Sequence, residues 1–246
     1  MLIGTLPRSL EKRLCLFVRN EPFRLVLAGL LGEWRYSLQE NPADADLLLA
    51  EDGAPAPEDG APVLWLARSC HEERDRLALP LSMEELWAEL ESRLHTTPRS
   101  HIRINPDLPA DLEVRNIKDE VRIFSLSDMG GRFDFNRELA PGEELVLGLS
   151  IARHRLKLSC RVIYVVPRGD LEGSGKAQIG VIFDHRDKSL RKVLHDFIIR
   201  SYLERVQAGM AVNIFREGLS RLDVPPAILR EIGFPAKSLA FNDFRG

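Results

Sequence analysis

Two arginines separated by three residues stand in Arg99-Ser100-His101-Ile102-Arg103-Ile104. A guanidinium is a planar fork that donates two parallel hydrogen bonds, to phosphate oxygens or to the O6/N7 edge of guanine. It also stacks on a purine face. Further along, Ser125-Leu126-Ser127-Asp128-Met129-Gly130-Gly131 follows a strand-like run. A turn of such small residues offers hydroxyls, open backbone N–H groups and close approach to a ligand. Together the two segments suit a compact, anionic, guanine-bearing ligand. Arg132, directly after the glycine pair, adds positive charge to that site unless it is an ordinary solvated residue. Arg161 alternates outward from Cys160 and Val162 and so is a candidate for the ligand face.

Other chemistry finds little support. The six histidines, among them His71, His101, His154, His185 and His195, show no HExxH or HxH spacing. There is no GxSxG, P-loop or GxGxxG; Gly173-Ser174-Gly175-Lys176 lacks the full phosphate-loop pattern. Glu84-Glu85 and Glu143-Glu144 read as solvated charges at a helix start and a turn. Cys15, Cys70 and Cys160 are odd in number and widely spaced, which suggests neither a disulfide framework nor a zinc site. The sequence therefore predicts no catalysis, no metal and no cofactor.

The elements that must position these residues fall into two styles. Residues 1–98 hold 10 Lys/Arg against 17 Asp/Glu, and residues 99–246 hold 24 against 20, so an acidic part precedes a mildly basic one. That excess is too diffuse for a nucleic-acid polymer surface. In the acidic part, apolar runs at 14–18, 46–50, 63–67 and 77–80 read as buried parallel strands. A helix starts near Pro22, with Phe23, Val26, Leu27, Leu30 and Leu31 on one face. Another is capped by Ser82, with Glu85 at the capping-box position. This βα alternation predicts an open α/β layer. From Ile102 to Phe183, short alternating runs broken at Pro141-Gly142 and at Arg168 to Gly175 predict an antiparallel barrel. A helix with Leu190, Val193, Leu194, Phe197, Ile198 and Leu203 on one face follows, and then a weakly helical tail. The fold class expected is α/β plus β. The expected domains are 1–95 (α/β), 96–208 (barrel with terminal helix) and 209–246 (helical extension). No run is long and apolar enough to span a bilayer, and Met1 to Arg13 is too polar for a signal peptide. A cytoplasmic location is expected.

The motif residues make a resemblance specific. Arg99-Ser100-His101-Ile102-Arg103 resembles the RxxxR segment of PilZ domains, and Ser125-Leu126-Ser127-Asp128-Met129-Gly130 resembles the family's [D/N]xSxxG. Pro141-Gly142-Glu143, the long strand to Val166 and Gly180-Val181-Ile182-Phe183 match its layout, over about residues 97–206. The resemblance implies a β-barrel that binds cyclic di-GMP. Arg99 and Arg103 would grip phosphates and guanines, with Ser127 and Gly130 near a guanine. Gly131, Arg132 and Arg161 complete the expected site. Ser125 departs from the family's Asp or Asn. A hydroxyl cannot accept bidentately from guanine N1–H and N2–H, and losing a charged acceptor costs on the order of 1.5–3 kcal/mol.

The first part resembles a shortened, degenerate response-regulator receiver. Arg19-Asn20-Glu21 stands where a receiver has its acidic pair, Glu51-Asp52 where its phosphoacceptor lies, and Leu79-Pro80-Leu81 where its lysine is expected. Phosphoryl transfer is not expected; an interaction role is. The resemblances imply a cyclic di-GMP effector with an unidentified protein partner, compatible with a homodimer, acting on motility, adhesion or exopolysaccharide. The alternative is a ligand-independent adaptor with a degenerate PilZ site.

Overall fold

The computed structural model describes residues 12–55, 60–68, 75–151, 154–167, 176–184 and 188–234. Cys70, His71, His185, the turn from Arg168 to Gly175 and residues 235–246 lie outside the described residues. The chain divides into two compact units. One is His101–Ile198; the other joins the segment ending at Ser100 to the segment beginning at Ile199.

The α/β unit is a five-stranded parallel sheet. Its strands are β1 (Arg13–Phe17), β2 (Ser37–Leu38), β3 (Leu47–Glu51), β4 (Val63–Ala67) and β5 (Arg76–Ala78), in the order β2-β1-β3-β4-β5. This is a doubly-wound order. Helix α1 (Glu21–Glu33) starts where the Asn20 side chain accepts from the Phe23 amide at 2.8 Å, with Pro22 in the first turn. Its buried face is the expected one: Phe23, Val26, Leu27, Leu30 and Leu31. Helix α2 (Met83–Leu94) is capped by Ser82, whose Oγ accepts from the Glu85 amide at 3.2 Å and donates to Glu84. The expected open α/β layer is present, with two elements the sequence reading lacked: β2 and a 3-10 turn at Pro42–Asp44.

Helix α3 (Lys188–Ala208) changes units part-way. Leu194 and Ile198 are buried in the barrel unit, and Ile199, Tyr202, Leu203 and Val206 in the α/β unit. In the latter, Trp34 meets Trp87 and Tyr202 edge-on, at 5.3 and 6.2 Å between centroids. Such pairs add about 0.5–1.5 kcal/mol beyond area burial. The tail forms α4 (Val212–Leu219) and α5 (Pro226–Glu231), and α4 packs on α1. Leu222 then pairs with Leu81 in parallel, with Leu81 N–H donating to Arg221 and Asp223 N–H to Leu81.

The second unit is a closed six-stranded antiparallel barrel. Its strands are β6 (Leu108–Val114), β7 (Ile117–Leu126), β8 (Gly130–Phe135), β9 (Glu144–Ile151), β10 (His154–Pro167) and β11 (Ala177–Phe183). The order is β10-β11-β8-β7-β6-β9, closed by β9 on β10. Ile123, Leu126, Phe133, Leu147, Leu149, Ile179 and Val181 fill it almost without exposure. Each full burial of this kind stabilises by about 1.5–3 kcal/mol.

Candidate functional site

The second motif forms the β7–β8 turn. Ser127 N–H donates to Gly130 O at 2.8 Å, and Ser127 Oγ donates to the same oxygen at 3.2 Å while accepting from Met129 N–H at 3.3 Å. The hydroxyl is therefore engaged in closing its own turn, and Ser127 is buried. Gly130 is needed because β8 lies tight on β11. An added Cβ would sit inside 3.0 Å of the Val181 carbonyl oxygen. Gly131 pairs with Leu126 and Val181, whose side chains fill the barrel, so its α-carbon faces inward.

The register lays the other expected residues along the outer surface. Tyr164 on β10 opposes Gly180 on β11, Gly180 opposes Arg132 on β8, and Arg132 opposes Ser125 on β7. At ~4.8 Å per strand the row runs about 14 Å, long enough for a ligand of nucleotide size. Gly180 leaves the space that the Tyr164 ring occupies; an added Cβ would collide with that ring. The Arg132 guanidinium stands 5.6 Å from the ring centroid. Arg132 Nε and Tyr164 Oη are both buried without a hydrogen-bond partner among the described residues. Ser125 is buried at the end of this row.

Arg161 lies in the neighbouring row, opposite Ile182, which opposes Gly130. It is exposed, as its alternation predicts, and its guanidinium donates to Glu144 at 3.3 Å. It also lines a depression of about 710 Å³ with Arg115, Lys118 and Phe183.

The two motif arginines lie in the chain that precedes β6. Ile104 exchanges both backbone hydrogen bonds with Leu126, each 2.9 Å, which sets residues 102–105 alongside the end of β7. Ile104 is buried inward, and the adjacent Arg103 is half-buried. Arg99 is half-buried as well, and its backbone N–H donates to Glu91 Oε2 at 2.8 Å. The division between the two units falls at Ser100/His101, between the two arginines.

Asp128 makes contacts that the sequence did not disclose. It is buried in the turn, with its carboxylate 2.9 Å from His101 Nδ1 and 2.7 Å from Arg191 Nε on α3. Tyr164 is the other residue that sequence reasoning missed. A bulge at Ile163, where the β10–β11 register shifts, breaks the alternation that would have flagged it. The available signal was an aromatic residue facing a glycine across a strand pair.

At the carboxyl ends of the parallel strands, Glu51 accepts from Arg19 N–H at 3.0 Å and from the Arg221 guanidinium. Burial disfavours its charged form, but the Arg19 and Asn20 amides and Arg221 more than offset this and hold its carboxyl below the ordinary glutamate range. Among the described residues, no cluster of His, Cys, Asp or Glu is arranged to hold a metal ion. No helix among them is long and apolar enough to cross a membrane.

The model of the PilZ domain family matches residues 97–200. Residues 97–200 form a PilZ domain. No curated protein matches the chain. Among solved structures, the chain is similar to the PilZ domain of YcgR from Escherichia coli, solved with c-di-GMP. That match has 16% identity and a TM-score of 0.37, covering 46% of this chain and 97% of that one. It is also similar to MrkH of K. pneumonia in its c-di-GMP complex, with 17% identity and a TM-score of 0.40, covering 46% and 57%. A third is the Bacillus subtilis inhibitor of motility MotI/DgrA, with 15% identity and a TM-score of 0.37, covering 44% and 52%. The chain spans about half the length of MotI/DgrA and MrkH.

Proposed function

We propose that the PilZ barrel binds cyclic di-GMP on its outer surface at the β7–β8 turn. The observation that carries this reading is the row Tyr164–Gly180–Arg132–Ser125 on the barrel's outer surface, with the Ile104–Leu126 bridge setting the segment that bears Arg103 alongside the end of β7. In this reading Arg99 and Arg103 take phosphate oxygens and guanine edges as bidentate donors. A guanine stacks on Tyr164, with Arg132 adding positive charge. Gly130 keeps the turn low enough for the ligand to approach. Ser127 acts through the turn it closes, Gly131 through the packing of β8, and Arg161 lines the flank.

The chain then acts as a cytoplasmic effector without catalysis of its own. Ligation changes the arrangement of the two units and the binding of a protein partner, with motility, adhesion or exopolysaccharide as output; a homodimer is compatible with this. The α/β unit serves as a receiver-like interaction module without phosphorylation. Glu51 stands at the end of β3, where a receiver's phosphoacceptor would be, and its carboxylate is already taken by Arg19 and Arg221.

Two features favour a second reading, a ligand-independent adaptor. Ser125 replaces the acidic or amide residue that would meet a guanine, and the Ser127 hydroxyl is spent on its own turn. Calorimetric titration of the full chain with cyclic di-GMP separates the two readings. Saturable heat that is lost in Arg99→Ala and in Arg103→Ala supports the effector. No heat and no thermal shift at high micromolar ligand supports the adaptor.

A further inference from the structure

The five residues 99–103 carry both arginines of the proposed site, so whatever fixes this segment fixes the site. Two buried carboxylates hold it. Glu91 on α2 has no exposed surface and accepts from the Arg99 backbone N–H at 2.8 Å. Asp128 in the β7–β8 turn is 8% exposed and takes His101 Nδ1 at 2.9 Å and Arg191 Nε at 2.7 Å. Removing a carboxylate from water costs several kcal/mol, and only close charged or N–H partners offset that cost. The hairpin closes through Ser127 and Gly130, and Glu91 lies in the last turn of α2, with its carboxylate 4.0 Å from the His95 imidazole as well as on the Arg99 amide. What these carboxylates do have in common is a grip on residues 99 and 101. The Ile104–Leu126 bridge then fixes the segment's far end.

We propose that Glu91 and Asp128 are positioning residues that tether the arginine-bearing segment in its ligand-ready course. Asp128 extends the tether to helix α3 through Arg191. The inference rests on the reading of Arg99 and Arg103 as ligand residues, but the tether itself is measurable without ligand. A pre-set course removes ordering entropy that would otherwise oppose binding. Arg191 makes the first turns of α3 part of the same assembly as the ligand turn.

The test uses the full chain and three variants: Glu91→Gln, Asp128→Asn and His101→Gln. Backbone hydrogen exchange is followed by mass spectrometry over residues 99–104 and, for comparison, over the core strand 156–162. Cyclic di-GMP affinity is then measured by calorimetry. The tether predicts that each variant speeds exchange over 99–104 by about ten- to a hundredfold, the loss of one charge-assisted hydrogen bond, with 156–162 unchanged. Affinity falls by about tenfold or more in parallel. A residue that merely stabilises the fold would speed exchange in both peptides together, and that result overturns the proposal. Unchanged exchange over 99–104 in all three variants also overturns it. So does normal affinity in variants whose segment has loosened. His101→Gln removes the same contact from the more exposed side, which covers the case in which Asp128→Asn does not fold. If exchange responds as stated but the wild type gives no heat with cyclic di-GMP, the tether stands and the ligand reading falls.

Discussion

Two glycine-to-alanine substitutions separate the structural from the recognition side of the barrel. At Gly130 an added Cβ meets backbone, the Val181 carbonyl oxygen, at less than 3.0 Å, whereas ordinary contact begins at 3.4 Å. The obstacle cannot rotate away, so β8 and β11 must part by about 1 Å and the adjoining ladder hydrogen bonds stretch; overpacking of this kind costs about 1–3 kcal/mol. The unfolded chain loses freedom on Gly→Ala and returns about 0.4–1 kcal/mol. A net loss of about 0.5–2.5 kcal/mol remains, which in a domain of this size lowers the melting midpoint by roughly 3–15 °C. At Gly180 the same added atom meets the Tyr164 ring, the end of a side chain that can swing outward. The stability cost there is small and is roughly balanced by the unfolded-state gain, so the midpoint stays within about 3 °C. The displaced ring abandons Arg132 and the stacking surface, and loss of one base–aromatic stack is worth about 1–3 kcal/mol, or roughly five- to 150-fold in affinity. Thermal unfolding and calorimetric titration of Gly130→Ala and Gly180→Ala read both effects. A Gly130→Ala protein that melts with the wild type, or a Gly180→Ala protein that binds cyclic di-GMP normally, would contradict these roles of the two glycines.

Three further outcomes follow from named groups. Ser125→Asp restores a charged acceptor opposite Arg132 and should tighten cyclic di-GMP by about ten- to a hundredfold in a titration. Unchanged binding would place the guanine elsewhere. Glu51 has its carboxyl held below the ordinary range, so its stabilisation is fully present above the unfolded value near 4.3 and is lost as pH falls through the lower folded value. Glu51→Gln should therefore lower the midpoint at pH 7 and flatten its decline below about pH 4.5, as read by thermal melts across pH. Cys160 is buried, which pushes its thiol up to about 12, so at pH 8 it should resist a thiol-specific disulfide reagent until denaturant is added. Rapid labelling of Cys160 in the native protein, mapped by peptide mass, would contradict the packing.

Much of the framework could be read from the residues because burial wrote it there. Leu47 to Ala50 and Val63 to Ala67 are apolar runs since those strands are covered on both faces. The outward Arg161 follows from simple alternation with Cys160 and Val162. The elements that escaped had weak apolar signals for physical reasons. Strand β6 carries Pro109, Asp111 and Glu113 on its outer face, and β8 fills an inward position with Gly131 in place of a side chain. Helix α4 is short, with Phe215 and Leu219 as its main buried side chains. In the candidate site, the two arginines and the turn were legible as motifs because their spacing is local. Tyr164 was hidden by a one-residue bulge, and the Asp128–Arg191 contact joins residues 63 apart in the chain. No periodicity encodes a pairing of that kind.

The bridge between Leu81 and Leu222 has a consequence for how the molecule is made. The α/β unit is written in two pieces, with the whole barrel between them. On the ribosome the first piece emerges with Trp34 and Trp87 waiting for Tyr202, and with Glu51 waiting for Arg221. The barrel, whose strands all pair among themselves, is complete in sequence before those partners have been synthesised. Long-range closure is slow because chain entropy must be lost before contacts repay it. The barrel is thus complete first, and the two pieces of the α/β unit find one another after it. A chain cut at residue 200 would keep nearly all of the barrel yet leave the α/β unit without Tyr202, Arg221 and Leu222.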